Sequence, residues 1–230
     1  MVDARDRALL QRAFRLAERG RGRTSPNPLV GAVVAAMDGT IVGDGYHRQA
    51  GTPHAEVHAL DAAGERARGA VLYCTLEPCS HTGRTGPCVE RIVAAGIRRV
   101  VAAATDPNPL VAGNGFEYLR SHGVEVVADV ARPQAARQNA AFFTFMRSGR
   151  PLVVFKAAVS LDGCIAAAPG TPTRISGAQA HRETQRLRAE VDAVAVGAGT
   201  LLSDDPLLTV RDVYRDRPFT RVVFDRRLRT

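Results

Sequence analysis

His54, Glu56, Cys79 and Cys88 are the residues whose types and order most directly imply chemistry in this chain. One imidazole and two thiolates make three protein ligands for zinc, which leaves a tetrahedral position open and separates a catalytic site from a structural one. Water at such a position has a pKa near ~7, so hydroxide is available at neutral pH. Glu56, in Pro53-His54-Ala55-Glu56, is a carboxylate placed to carry protons between that water and a substrate. The second cysteine follows the first by nine positions, through Pro78-Cys79-Ser80-His81-Thr82-Gly83-Arg84-Thr85-Gly86-Pro87-Cys88. His81 is the residue of this loop that could close a structural site, but its Gly-rich surroundings point it to a substrate.

These residues need elements to hold them. Two positions on an ideal helix are roughly 200° apart, so His54 and Glu56 would diverge in mid-helix and belong at the start of a helix over Ala55–Gly64. A buried strand at Ala70–Leu76 would deliver Glu77-Pro78-Cys79, and a second helix, Cys88–Ala95, would begin at its own cysteine. A thiolate there gains from free backbone N–H groups. Upstream, residues 4–19 carry Leu10, Ala13, Phe14 and Ala17 at helical spacing. Strands at Leu29–Ala36 and Thr40–Tyr46 flank an Asp38-Gly39 turn. Strand, helix and strand then recur at Arg99–Ala104, Gly115–His122 and Glu125–Ala128, and a helix follows over 133–147. This alternation argues for a layered α/β domain over residues 1–147, a linker at 148–151 (Ser148-Gly149-Arg150-Pro151) and a second α/β domain over 152–230. In the second domain we expect strands at Leu152–Ala158, Ala193–Gly197 and Thr220–Asp225, and a helix at Ala178–Glu190.

At 230 residues and 45% hydrophobic content the chain can bury a sizeable core. No apolar run approaches a membrane span, and the charged N-terminus has no apolar segment of a secretory signal, so a soluble cytoplasmic protein is expected. The net charge of +8 is dispersed among acids, with Lys156 the only lysine, and does not form a nucleic-acid surface. Cys74 and Cys164 read as buried small apolar residues.

Ser25-Pro26-Asn27-Pro28-Leu29-Val30-Gly31-Ala32, Gly45-Tyr46-His47, the His54 and Glu56 motif and the long Cys79 to Cys88 loop together resemble the bifunctional riboflavin-biosynthesis deaminase/reductase family. Zinc nucleobase deaminases share an H-x-E and P-C-x-x-C signature, and the longer cysteine spacing with its His-x-Gly-Arg-Thr insert sets this family apart. The resemblance implies a three-layer α/β/α cytidine-deaminase-like domain with Zn²⁺ at His54, Cys79 and Cys88 and Glu56 as proton shuttle. The implied substrate is a phosphorylated pyrimidine, a 2,5-diamino-6-ribosylamino-pyrimidinone 5′-phosphate that loses its ring 2-amino group. Asn27, His47, His81, Arg84, Asp106 and Asn108 match positions that contact its base, ribose and phosphate. A nucleoside or tRNA deaminase of the same fold is the alternative, and a zinc-stabilised module without activity is a third reading.

Lys156-Ala157-Ala158-Val159-Ser160-Leu161-Asp162-Gly163, the segment from Arg188 to Thr200, and Asp204-Asp205-Pro206-Leu207-Leu208-Thr209-Val210-Arg211 resemble the family's reductase half. The resemblance implies a dihydrofolate-reductase-like α/β domain that uses NADPH to reduce the ribose to a ribityl chain. Ala158, Arg174, Thr200 and Asp204 would then serve NADP, and Lys156, Arg188, Leu208 and Arg211 the substrate. Cys164 stands where many members have Lys or Arg, Pro172 where a polar residue is common, and no Trp occurs near Arg174. The family's later Gly-rich NADP loop has no counterpart before Thr230, so the domain is expected to be incomplete and the reductase activity lost. A homo-oligomer is the expected assembly, without nucleic-acid or membrane partners.

Overall fold

The computed structural model describes residues 2–81, 86–109, 111–168, 170–171 and 173–230. Within them the chain divides into two compact units, Met1–Leu152 and Val153–Thr230.

The first unit is built on one sheet. Strands β1 (Gly31–Ala35), β2 (Ile41–Tyr46), β3 (Val71–Cys74), β4 (Arg99–Ala102) and β5 (Glu125–Val127) lie in the order β2-β1-β3-β4-β5. β1 runs antiparallel to both neighbours, whereas β3, β4 and β5 are parallel. Side chains alternate across a strand, and here both faces are apolar, so helices must cover both. Ala32, Val34, Leu72, Val100 and Ala102 face helices α2 (Ala55–Ala63), α3 (Cys88–Ala94) and α4 (Asn114–Ser121), packing on Leu60, Ile92 and Leu119. Val33, Ala35, Val71, Tyr73 and Val101 face α1 (Ala4–Ala17) and the pair α5 (Arg132–Gln138) and α6 (Ala140–Ser148), against Leu10, Phe14, Ala135 and Phe143. The result is the expected three-layer α/β/α sandwich. β2 presses closely on α2: a Cβ at Gly45 would come within 2.8 Å of the Ala55 carbonyl oxygen.

α1 opens with a capping box in which Asp3 accepts the Asp6 N–H at 2.7 Å and Asp6 accepts that of Asp3 at 3.3 Å. Asp6 is buried and also accepts from Tyr73 Oη at 2.8 Å and Arg99 Nη2 at 3.0 Å, pinning α1 to β3 and β4.

Two elements differ from expectation in unit 1 and at its edge. The helix expected over 133–147 is two helices, broken at Asn139 (φ −111°, ψ 34°), whose buried amide bonds the Leu29 backbone instead of facing solvent. Leu152–Ala158 is not a strand; its apolar run has strand propensity, but no strand among the described residues pairs with it, and Val153 and Phe155 are exposed.

In the second unit β6 (Ala193–Gly197) and β7 (Thr220–Phe224) form a parallel pair, with helices α7 (Ala178–Glu190) and α8 (Ala198–Asp204). Cys164 is exposed rather than buried, held in a turn where its N–H donates to Ser160 Oγ at 3.0 Å. Among the described residues no helix is long and apolar enough to cross a membrane.

Candidate active site and metal centre

The sandwich brings the metal-ligand residues together from three places. His54 is the N-cap of α2 with extended backbone (φ −72°, ψ 167°), and Glu56 is the second residue of that helix, so the imidazole and the carboxylate share one end of it. β3 ends at Cys74 and the chain continues through Glu77 to Cys79, while Cys88 is the first residue of α3. His54 Nδ1 lies 3.2 Å from Cys88 Sγ and 3.4 Å from Cys79 Sγ. All three donor atoms are within 4.8 Å of one another. Zinc bonds of roughly 2.0–2.3 Å in a tetrahedron put donor atoms about 3.6 Å apart, so one nitrogen and two sulfurs at these separations fit zinc.

The electrostatics of the cluster favour a cation. The Cys88 thiol above all, with the His54 ring, holds the Cys79 thiol down to about 4, and the main-chain N–H of Cys88 donates to that sulfur at 3.4 Å. The same pairing and burial push Cys88 up. Hydrogen bonding to Cys79 raises His54 to about 9. Glu56 is buried, and burial pushes its carboxyl up to about 7 although His54 pulls it down. Its Oε2 is buried without a hydrogen-bond partner among the described residues, an orphaned acceptor beside the ligand cluster.

His54, Glu56 and Cys79 open onto a cavity of about 220 Å³. Asn27, His47, His81, Asp106 and Asn108 line it as well. Cys88 is buried and does not line it, and Arg84 lies outside the described residues, as does Pro172. His47 is buried, with Nδ1 3.2 Å from the Pro53 carbonyl and Nε2 3.2 Å from Asn27 Nδ2. A carbonyl only accepts, so Nδ1 carries the proton and Nε2 accepts from the Asn27 amide. His47 thus orients Asn27, and burial keeps the ring's pKa low, consistent with a neutral imidazole. Asp106 sits in a turn, accepting the Asn108 N–H at 2.8 Å. Burial pushes its carboxyl up to about 6, with Glu77 and Cys79 adding to the rise.

The remaining walls escaped the sequence reading. Leu76, Glu77, Val111, Phe142 and Met146, with Pro26, Pro28 and Val30 of the motif around Asn27, complete the cavity. Phe142 and Met146 are four apart on α6, a spacing that marks one helical face but reads as core in a sequence.

In the second unit, Arg188 Nη1 donates to the Thr209 carbonyl at 3.2 Å and the Arg211 N–H donates to the fully buried Gln185 side chain at 2.9 Å. Arg188 and Arg211 are therefore gathered around the loop that contains the buried Leu208. Thr200 and Asp204 lie on α8, directly after β6. Lys156, Ala158 and Arg174 lie on irregular chain before α7, where Arg174 Nε donates to the Ser176 carbonyl at 3.3 Å. The hydrogen bonds observed among the described residues do not join these two groups into one site.

Residues 3–104 match the family described as the cytidine and deoxycytidylate deaminase zinc-binding region. Residues 151–230 match the RibD C-terminal domain. The riboflavin biosynthesis protein RibD of Aquifex aeolicus is 46% identical over 225 residues, covering 98% of this chain and 63% of that protein. The Escherichia coli protein of the same name is 50% identical over 206 residues, 90% of this chain and 56% of its own length. Both units of the chain are similar to RibD proteins. The structure of Acinetobacter baumannii RibD superimposes with a TM-score of 0.92 at 44% identity, over 98% of this chain and 65% of that one. A Thermotoga maritima structure, titled a diaminohydroxyphosphoribosylaminopyrimidine deaminase/5-amino-6-(5-phosphoribosylamino)uracil reductase, gives 0.89 at 41% identity over 97% of this chain and 64% of its own. The chain thus spans about three fifths of the RibD relatives it matches. Cys79 and Cys88 both lie within the first unit.

Proposed function

We propose that the first unit is a zinc-dependent hydrolytic deaminase acting on 2,5-diamino-6-ribosylamino-4(3H)-pyrimidinone 5′-phosphate, giving 5-amino-6-ribosylaminouracil 5′-phosphate and ammonia in riboflavin biosynthesis. The observation that carries this reading is the single cavity onto which the His54 and Cys79 donors, the buried Glu56 and the polar side chains of Asn27, His81 and Asp106 all open. His54, Cys79 and Cys88 would hold the zinc. Bound zinc supplies the Lewis acidity that brings water to hydroxide strength near neutral pH.

Glu56 then has two tasks. Its carboxylate takes a proton from the attacking water and passes it to the ring nitrogen. It then takes the second proton, from the hydroxyl newly bonded to the ring carbon, and delivers it to the amine, whose C–N bond breaks to release ammonia and leave a carbonyl. Burial, which raises the carboxyl's affinity for a proton, supports both tasks. Asn27, fixed by His47, presents its amide to the base, while His81, Arg84, Asp106 and Asn108 serve the ribose and phosphate. Arg84 suits phosphate because a guanidinium offers paired donors and a permanent charge.

To the second unit we assign the reductase side of the family, with Ala158, Arg174, Thr200 and Asp204 toward NADPH and Lys156, Arg188, Leu208 and Arg211 toward the sugar. Its support is the match over residues 151–230.

The deciding experiment combines metal analysis with ammonia release from the pyrimidine phosphate by the zinc-loaded chain and by Glu56→Gln. One zinc per chain in both forms, with ammonia released only by the parent, is the expected result. Equal release by both forms would remove Glu56 from the mechanism.

A further inference from the structure

One part of the cavity wall depends on a side chain far from it in sequence. Asn139 stands at the break between α5 and α6 and is 5% exposed. Its Oδ1 accepts the Leu29 N–H at 2.7 Å and its Nδ2 donates to the Leu29 carbonyl at 2.9 Å. The amide thereby acts as a peptide unit beside the chain just before β1 and satisfies both backbone groups of a residue 110 positions away.

Both flanks of this pair reach the cavity. Upstream of Leu29 lie Pro28, Asn27 and Pro26, all in the lining. Two prolines restrict the backbone around Asn27, so a shift at Leu29 is carried to Asn27 rather than absorbed between them. Downstream, Phe142 and Met146 follow Asn139 by three and seven positions on α6, four apart on one helical face, and both line the cavity. We propose that Asn139 is a positioning residue: its paired hydrogen bonds to Leu29 set the Pro26–Pro28 segment against Phe142 and Met146 and fix the slot that admits a planar heteroaromatic ring. This deepens the assignment of the cavity as a pyrimidine site and rests on it.

Asparagine presents an amide donor and acceptor side by side on the shortest side chain that has both, whereas glutamine would add a methylene within a buried contact. Aspartate keeps the acceptor but loses the donor and turns a charged oxygen toward the Leu29 carbonyl; leucine has neither group. The test is Asn139→Asp in the full zinc-loaded chain, with KM and kcat for ammonia release, zinc per chain and circular dichroism. A parallel arm measures equilibrium binding of the pyrimidine phosphate to Glu56→Gln with and without Asn139→Asp. We expect KM and Kd to rise about tenfold, a loss of about 1.4 kcal/mol, with kcat little changed and zinc retained. KM and Kd equal to those of the parent forms would overturn the proposal. So would loss of zinc or of the folded spectrum, which would make Asn139 a stability residue. Absence of ammonia release by the unsubstituted chain would defeat the deaminase reading instead, while the binding arm would still report on positioning.

Discussion

The carboxylate of Glu77 accepts the main-chain N–H of Asp106 at 3.1 Å, joining the segment that leads into Cys79 to the loop that carries Asp106 and Asn108. It also accepts N–H groups from Gly113 at 3.0 Å, Gly115 at 3.0 Å and Phe116 at 3.4 Å. One buried side chain thus satisfies the free amides at the start of α4 and ties two cavity walls together. In Glu77→Gln an NH2 group would face these donors. The variant is expected to lose about 2 kcal/mol of stability and, from displacement of the loop, about 10²-fold in kcat/KM. Urea unfolding and steady-state kinetics on the same preparation check both.

Glu56→Gln keeps the size of the side chain and removes its capacity to carry protons. A general acid–base contribution of about 10²–10⁴-fold should disappear from kcat, while zinc content stays at the parent level. Burst-free ammonia kinetics paired with metal analysis would separate this from loss of the metal.

Cys88→Ser replaces a buried thiol at the start of α3 by a hard oxygen donor that binds zinc poorly. Zinc per chain should fall well below one after dialysis, and ammonia release should fall with it in proportion. Retention of both would show that Cys79 and His54 suffice.

Acid should weaken the anchoring of α1. Burial alone would raise the Asp6 carboxyl, but hydrogen bonds from Tyr73, Arg99 and the Asp3 N–H, with the Arg99 charge, hold it below the ordinary value. A depressed folded pKa means that the stabilisation is complete above the unfolded value of ~3.9 and is lost as pH falls through the lower folded one. Asp6→Asn should therefore cost about 3 kcal/mol at neutral pH, with the gap to the parent narrowing below about pH 4. Urea midpoints followed by circular dichroism across that range measure it.

What was legible in the sequence was local or chemical. The apolar segment Leu29–Ala36 read as a strand beside the Asp38-Gly39 turn, and β1 lies within it, with Val33 and Val34 buried on opposite faces. The rotation between His54 and Glu56 demanded a helix N-terminus, and the N-cap conformation of His54 supplies it. The break at Asn139 was not legible, since alanines flank it on both sides, with long polar side chains before it, and the partner that holds it, Leu29, is distant in sequence. Phe142 and Met146 were hidden for the same reason: periodicity shows that a face is apolar, not that it borders a cavity. The apolar run at Leu152–Ala158 misled in the opposite direction, because strand propensity says nothing of whether a neighbour exists to pair with.

The break in the helical pair at Asn139 has a consequence for how such a site can diversify. The zinc ligands and Glu56 lie within residues 3–104, the stretch shared with cytidine and deoxycytidylate deaminases, whereas Phe142 and Met146 lie beyond it. On the proposed assignment, part of the wall that meets the ring stands on a segment separate from the zinc ligands, tied to it by the Asn139–Leu29 pair and by hydrogen bonds from Gln134 to Gln11 and from Gln138 to the Phe14 carbonyl. Exchange of residues 132–148 between relatives offers a way to alter which ring is accepted while the hydrolytic machinery is inherited unchanged.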